Sequence, residues 1–246
     1  MSQDAMPPTP PSRSAHRARL FRIARTGALV AGAAQFTAVG AVYAIDKVRK
    51  MRIPGGQHGF PTMPPQEVLV GDNAIQVYTE GTTLYADMIK AIDSAKTTVF
   101  FETYVWRSDA VGFAFKEALV RAAQRGVEVF VIYDGFGSFK SAPALKFFPN
   151  LPTLHVHRVK ELRIGLFLGD MRRTGRNHRK ILVVDDAVGF VGGFNIGKDF
   201  GTEWRDTHIR LVGPAVRILS VGAQEFWNTF RDRNQPKLPE GEELPS

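Results

Sequence analysis

The sequence predicts an α/β layer fold with a central sheet, and three observations carry that expectation. Strand-like apolar runs alternate with amphipathic helical stretches from residue 74 onward, the pattern of a sheet covered by helices. Of the 246 residues 44% are hydrophobic, ample for the core of one catalytic domain with appendages. The run Ile181-Leu182-Val183-Val184 is continuously apolar and mostly β-branched, as expected of a strand that fixes the backbone behind the residues before it.

In chain order, residues 1–19 are rich in Pro, Ser, Gln and Arg without apolar periodicity, and are expected to be a disordered basic N-terminus. No residue from Gly27 to Ile45 is charged, a span that at 1.5 Å per helical residue approaches the thickness of a bilayer core. Arg17, Arg19, Arg22 and Arg25 precede it, and Lys47, Arg49, Lys50 and Arg52 follow. Residues 20–50 are therefore expected to form one N-terminal transmembrane helix with interfacial anchors at both ends. The competing readings are a buried soluble helix and a signal peptide cleaved near Val42-Tyr43-Ala44. The long basic flank and the length of the apolar segment favour a retained anchor. Residues 51–66, with Pro54, Gly55, Gly56, Gly59, Pro61, Pro64 and Pro65, read as a linker.

The folded domain is expected over 67–232. Ala74 to Tyr78 reads as a strand, and Thr82 or Thr83 as the cap of a helix whose apolar stripe is Leu84, Met88, Ile89 and Ile92. Thr97 to Val105 is a strand interrupted by Glu102, a carboxylate that needs a partner if buried. Phe113 to Gln124 is a helix stopped by Gly126, and Val127 to Asp134 a strand that opens into a Gly-Phe-Gly loop. His155 and His157 share a strand face, but no further donor is placed to complete a metal site. Ile209 to Val212 is a strand, and Gly213-Pro214 opens a helix packed through Val216, Leu219, Phe226, Trp227 and Phe230. The Pro/Glu-rich tail, 233–246, is expected to be disordered.

The chemistry concentrates at Asn177-His178-Arg179-Lys180. On a strand, residues two apart share a face, so the His178 imidazole and the Lys180 ammonium should point the same way. A neutral imidazole can attack phosphorus and a neighbouring ammonium can neutralise phosphoryl oxygens, and neither role calls for a metal. Parity places Asp185 on the opposite face, where it reads as a carboxylate that orders the loop, an arginine being its candidate partner. Between Arg163 and Lys180, the apolar Ile164, Leu166, Phe167 and Leu168 adjoin the basic Arg172, Arg173 and Arg176, a composition suited to an anionic lipid surface.

The spacing His178, Lys180, Asp185, Gly192, Gly193, Asn195 resembles the signature of the phospholipase D superfamily. Gly193 stands where many of its members carry serine. Beyond the signature, Asp134 to Ser138, Trp204 to His208 and Gly213 to Val216 resemble the first catalytic half of bacterial cardiolipin synthases. The resemblance implies a phospholipase D-like sandwich with a mixed sheet flanked by helices and preceded by the membrane helix. Its catalytic set would be His178 as nucleophile, Lys180, Asp185 and Asp206, the last accepting a hydrogen bond from the second imidazole nitrogen. Asn195, Gly192, Gly193 and Arg176 would contact the substrate, and Glu102 is a further candidate. His208, two residues along the same strand as Asp206, reads as structural. No metal or cofactor is implied.

Cardiolipin synthases carry two such motifs, whereas this sequence has one. The second would come from a homodimer mate or a separate partner, unless the chain is an inactive lipid-binding half-domain. The partners expected are the bacterial cytoplasmic membrane and an anionic phospholipid such as phosphatidylglycerol, in keeping with a formal net charge of +8. The alternative is a membrane-anchored homodimeric phosphodiesterase acting on nucleic acid. It ranks second because the aromatic residues are not interleaved with the basic cluster. With no cysteine, disulfides and thiolate metal sites are excluded.

Overall fold

The computed structural model describes residues 63–159 and 177–239, with most residues from 26 to 49. The chain divides into two compact units, Met1–Gln57 and His58–Ser246. In the first, the described residues between 26 and 49 are helical (α1). Among the described residues no helix is long and apolar enough to cross a membrane. Most of the expected linker and the whole apolar and basic stretch before Asn177, Arg176 included, lie outside the described residues.

In the second unit, β1 (Gln66–Val70) and β2 (Asn73–Tyr78) lead into α2 (Gly81–Ser94), β3 (Thr98–Thr103), α3 (Ala110–Gln124) and β4 (Glu128–Asp134). The short α4 (Pro143–Lys146) and β5 (Leu154–Val159) follow. After the motif come β6 (Ile181–Val184), β7 (Val188–Gly192), α5 (Lys198–Thr202), β8 (His208–Val212) and α6 (Val216–Phe230). Among the described residues the strands form one mixed sheet in the order β1-β2-β8-β7-β6-β3-β4-β5. Strands β3, β4 and β5 run parallel, and the remaining neighbours pair antiparallel.

Alternation along the strands sorts side chains onto the two faces of the sheet. Phe101, Leu182 and Phe190 pack with Leu84, Ile92, Phe115 and Leu119 of α2 and α3. Phe100, Phe130 and Val183 pack on the other face with Val216 and Trp227 of α6. There Phe130 stacks on Phe100 and meets Trp227 edge-on, both at 5.0 Å between ring centroids. Each such large side chain contributes roughly 1.5–3 kcal/mol through burial. Strand β6 is buried along its whole length between β3 and β7, which accounts for its unbroken apolar run.

Several local expectations are corrected. The cap of α2 is Glu80, whose carboxylate accepts from the Thr82 and Thr83 amides. Asp109 caps α3 through the Gly112 amide and starts that helix three residues earlier than its apolar pattern does. Strand β1 went unread because it is a short edge strand, exposed along its length. The tail expected from 233 is docked as far as it is described. The Trp227 indole donates to Pro236 O at 2.9 Å, and Asn228 and Leu238 exchange two hydrogen bonds.

Asp185 sits at the far end of β6 from Lys180, about 16 Å along an extended chain. It orders the loop as expected, but through the main chain rather than an arginine. Its carboxylate accepts from the amides of Lys96 and Thr97 at 2.8 Å, of Thr98 at 2.9 Å and from the Thr97 hydroxyl at 2.9 Å. Asp185 and Asp186 both adopt positive φ, 53° and 52°, in the turn closed by Ala187 N–H to Val184 O. Aspartate tolerates that region better than the β-branched residues beside it. Burial opposes the Asp185 charge, but the amides of Thr98, Thr97 and Lys96 outweigh it and hold the carboxyl below its ordinary range.

Asp185→Ala should lower the unfolding free energy by about 2 kcal/mol, the scale of charge-assisted hydrogen bonds lost from a strand end. Urea titration checks this, and the deficit relative to the parent should vanish as the pH falls below the carboxylate range.

Candidate active site

The motif precedes strand β6 instead of lying on it: residues 177–180 are irregular and β6 begins at Ile181. The ladder nevertheless reaches Lys180, because Gly192 N–H donates to Lys180 O at 3.3 Å. His178 is exposed and Lys180 is 4% exposed. The Lys180 Nζ donates to the His178 carbonyl at 2.7 Å and lies 5.3 Å from the centre of the Tyr104 ring. That same ring stands 4.6 Å from the His178 imidazole. Tyr104 is thus a wall shared by the two motif side chains.

The residues that alternate with them are held from the other face. Glu102, paired with Ile181 across β3 and β6, is 2% exposed. Its carboxylate accepts from Asn177 Nδ2 at 3.3 Å and lies 3.3 Å from Arg179 Nη2, close enough for attraction. Arg179 also donates to Gly222 O on α6, and its guanidinium lies 4.9 Å from the centre of the Phe226 ring. Glu102 therefore stands under the motif and fixes the backbone on both sides of His178. Burial pushes its carboxyl up to about 7, against the Arg179 charge and the Asn177 hydrogen bond.

Asp134, fully buried at the end of β4, joins two loops. Its carboxylate accepts from Asn177 N at 3.2 Å and from the amides of Phe136 and Gly137 at 2.9 and 3.0 Å. A Cβ at Gly137 would lie 2.3 Å from Tyr104 O, so this glycine lets the loop close on the Tyr104 segment. The Gly-Phe-Gly loop is part of the scaffold that seats the motif.

The glycine pair has a reason the sequence did not show. A Cβ at Gly193 would lie 1.9 Å from an Asp206 carboxylate oxygen, and one at Gly192 would lie 2.7 Å from Cγ of His208. The glycines make room for two protein side chains that fold back over them. Asp206 accepts from its neighbour Thr207 N at 2.8 Å. Among the described residues no hydrogen bond joins it to His178; its charge is felt at Lys180. Burial pushes the Lys180 ammonium down to about 8, with Asp206 opposing.

Asn195 braces the same end of the sheet. Its Oδ1 accepts from Val105 N at 3.0 Å and its carbonyl from the Tyr85 hydroxyl at 2.5 Å. Of the residues expected at the site, then, the structure gathers His178, Lys180, Gly192, Gly193 and Asp206, with Asn195 and Glu102 as braces. Asp185 stands apart at the other end of β6. Sequence reasoning missed Asn177, Arg179, Asp134, Tyr104 and His208. Parity could have found the first two, since they share the face of Glu102.

His155 and His157 pair with Glu128 and Asp232 at 3.0 and 3.5 Å. Among the described residues no group of three or more His, Asp or Glu is placed to hold a metal ion. A surface cleft lined by Gln76, Asp87, Lys90, Val188 and Arg210 lies toward the Asp185 end of the sheet.

A family profile described as "Cardiolipin synthase, PLD-like domain" matches residues 88–228. The chain belongs to this phospholipase D-like family. Cardiolipin synthase of Staphylococcus aureus is 34% identical over 186 residues, a match covering 68% of this chain and 34% of the relative. The major cardiolipin synthase ClsA of Bacillus subtilis is 34% identical over 168 residues, covering 65% of this chain and 34% of the relative. The chain thus matches about a third of the length of these relatives. Among solved structures, a phospholipase D family member, Nuc from Salmonella typhimurium, aligns at 21% identity with a TM-score of 0.52, over 67% of this chain and 100% of Nuc. That likeness supports the fold.

Two outcomes follow from the geometry. A Glu whose folded pKa is raised stabilises the fold below its unfolded value of 4.5, and that stability is lost as pH rises through about 7. Glu102→Gln should abolish this loss, so its urea midpoint should change less between pH 4.5 and 7 than the parent's. Gly193→Ala should displace the Asp206 carboxylate and lower turnover by about tenfold or more while the thermal midpoint moves by only a few degrees.

Proposed function

We propose that this chain is a phosphatidyltransferase of the cardiolipin synthase type. The observation that carries the reading is an exposed imidazole beside a buried ammonium, on a domain one third identical to cardiolipin synthases. A ring nitrogen of His178 attacks the phosphorus of phosphatidylglycerol. A P–N bond forms, the P–O bond to glycerol breaks, and the glycerol oxygen leaves with a proton from a general acid. A hydroxyl of a second phosphatidylglycerol then gives its proton back to that general acid and attacks the same phosphorus; the new P–O bond forms as the P–N bond breaks, releasing His178 and yielding cardiolipin. Lys180 neutralises the phosphoryl oxygens as charge develops, and burial strengthens that interaction. Asp206 orients the imidazole once the phosphoryl group is seated, and Asn195 offers its Nδ2 donors to the phosphoryl oxygens. Arg176, immediately before Asn177, supplies a further cation.

The general acid is a second imidazole contributed by another chain, either a second copy or a partner that carries the missing motif. The segment 20–50 anchors the enzyme at the bacterial cytoplasmic membrane. Its described apolar residues Val30, Val42, Tyr43 and Ile45 are all well exposed, as expected of side chains that lie in lipid. A phosphodiesterase acting on nucleic acid remains the second reading, favoured by the net charge of +8.

The purified, detergent-solubilised chain, incubated with phosphatidylglycerol and followed by lipid mass spectrometry, should yield cardiolipin and glycerol where a second copy supplies the acid, and neither where a separate partner does. His178→Ala should yield neither, and Lys180→Ala should lose about 10²–10³ in kcat. Turnover should decline as pH rises through about 8, where Lys180 loses its proton. Release of nucleotides from single-stranded DNA without cardiolipin would favour the second reading.

A further inference from the structure

His208 has no part in the reaction just described, and its surroundings are hard to reconcile with a filler of space. It opens β8 and is 1% exposed, and neither ring nitrogen has a hydrogen-bond partner among the described residues. An unpaired buried polar group destabilises the fold, a loss that a phenyl ring at the same strand position would avoid. The sheet register shows what the ring faces. His208 stands opposite Gly192 on β7, and Gly192 N–H bonds to the Lys180 carbonyl. Cross-strand neighbours share a face, so Lys180, Gly192 and His208 form one row. The glycine in the middle contributes no side chain, and the imidazole lies over it.

The other neighbours of the ring are accounted for. Tyr78, opposite His208 on β2, commits its hydroxyl to Asp87 at 2.5 Å and Gln76 at 3.0 Å. Phe194, with ring centroids 6.5 Å apart, is apolar. The charged group in the row is Lys180, which is itself faced by Asp206, the Tyr104 ring and His178. Burial, then the Lys180 charge, lowers the His208 ring to about 4, so at neutral pH it is a neutral acceptor. Lys180 has three N–H donors, one of which goes to the His178 carbonyl.

We propose that His208 is a positioning residue for Lys180: a neutral ring nitrogen, unpaired in this structure, accepts from the ammonium when the Lys180 side chain swings across Gly192, and with the His178 carbonyl it aims the remaining N–H at the phosphoryl group. The inference rests on Lys180 being the phosphoryl-binding cation. No bond is made or broken at His208 itself. Gly192 is then part of the device, because any side chain there would stand between acceptor and donor.

The test reads Lys180 without turnover. In the full detergent-solubilised chain with ¹³C-labelled lysine, Lys180→Arg identifies the Lys180 signal, which should titrate near about 8 in the parent. His208→Phe keeps the volume and removes the acceptor, and should lower that midpoint by about half a pH unit or more. His208→Gln, which restores a carbonyl acceptor, should bring it back toward the parent value, a rescue that a space-filling role does not give. If the phenyl variant does not fold, His208→Leu replaces it under the same reading. An unmoved Lys180 midpoint in the acceptor-free variant, or no recovery with Gln, would overturn the proposal even in a chain that makes cardiolipin. The expected shift in a chain that releases nucleotides from single-stranded DNA and makes no cardiolipin would support the role of His208 and discard the lipid assignment instead.

Discussion

The Glu102 carboxylate, buried in the middle of the sheet, grips the two residues that alternate with His178 and Lys180. Asn177 and Arg179 are drawn to the α6 face, so the imidazole and the ammonium have the opposite side to themselves. A carboxylate in such a place is tolerated only because it is paired, and removing one partner would leave a buried charge. The arrangement turns a segment without regular structure into one with strand-like alternation. The position of the His178 imidazole is thereby inherited from the packing of β3 against β6.

From that constraint the rest of the site follows along the sheet. The ladder hydrogen bond from Gly192 places β7 beside Lys180, and β8 brings Asp206 and His208 over the two glycines. Tyr104, at the end of β3, closes the opposite side against both motif side chains. Asp134 ties the motif to the loop after β4. Three structural carboxylates, at 102, 134 and 185, thus hold backbone or side chains in place along the strands that carry the two motif side chains. Among them Asp185 acts farthest away, where it joins the β6–β7 turn to the start of β3.

Much of this was legible in the sequence. The alternating apolar runs located β2, β3, β4, β8, α2, α3 and α6 within a few residues, the spacing of rare residue types singled out His178 and Lys180, and the family resemblance added Asp206. What stayed hidden depends on contacts distant in sequence. A glycine pair reads as room for a ligand until Asp206 and His208 are seen folding over it. Asp185, which parity sets on the opposite face and the family resemblance sets in the catalytic group, is seen to stand at the far end of β6 only once the strand between it and Lys180 is extended. His208 looked structural because strand periodicity reports which face a residue takes and not what stands in the next row. Short elements such as β1 and α5, and the tail docked on α6, carry too little periodicity to be read at all.

The central claim is that this sheet end presents His178 as a nucleophile toward phosphorus. The most direct measurement is to quench the chain with acid or base shortly after it meets phosphatidylglycerol and to map the covalent adduct by peptide mass spectrometry. A phosphatidyl group carried on the peptide containing His178, labile in acid and stable in base, is the result the account predicts. Cardiolipin formation with the adduct on another residue, or with none in the parent under conditions that trap one elsewhere, would contradict it.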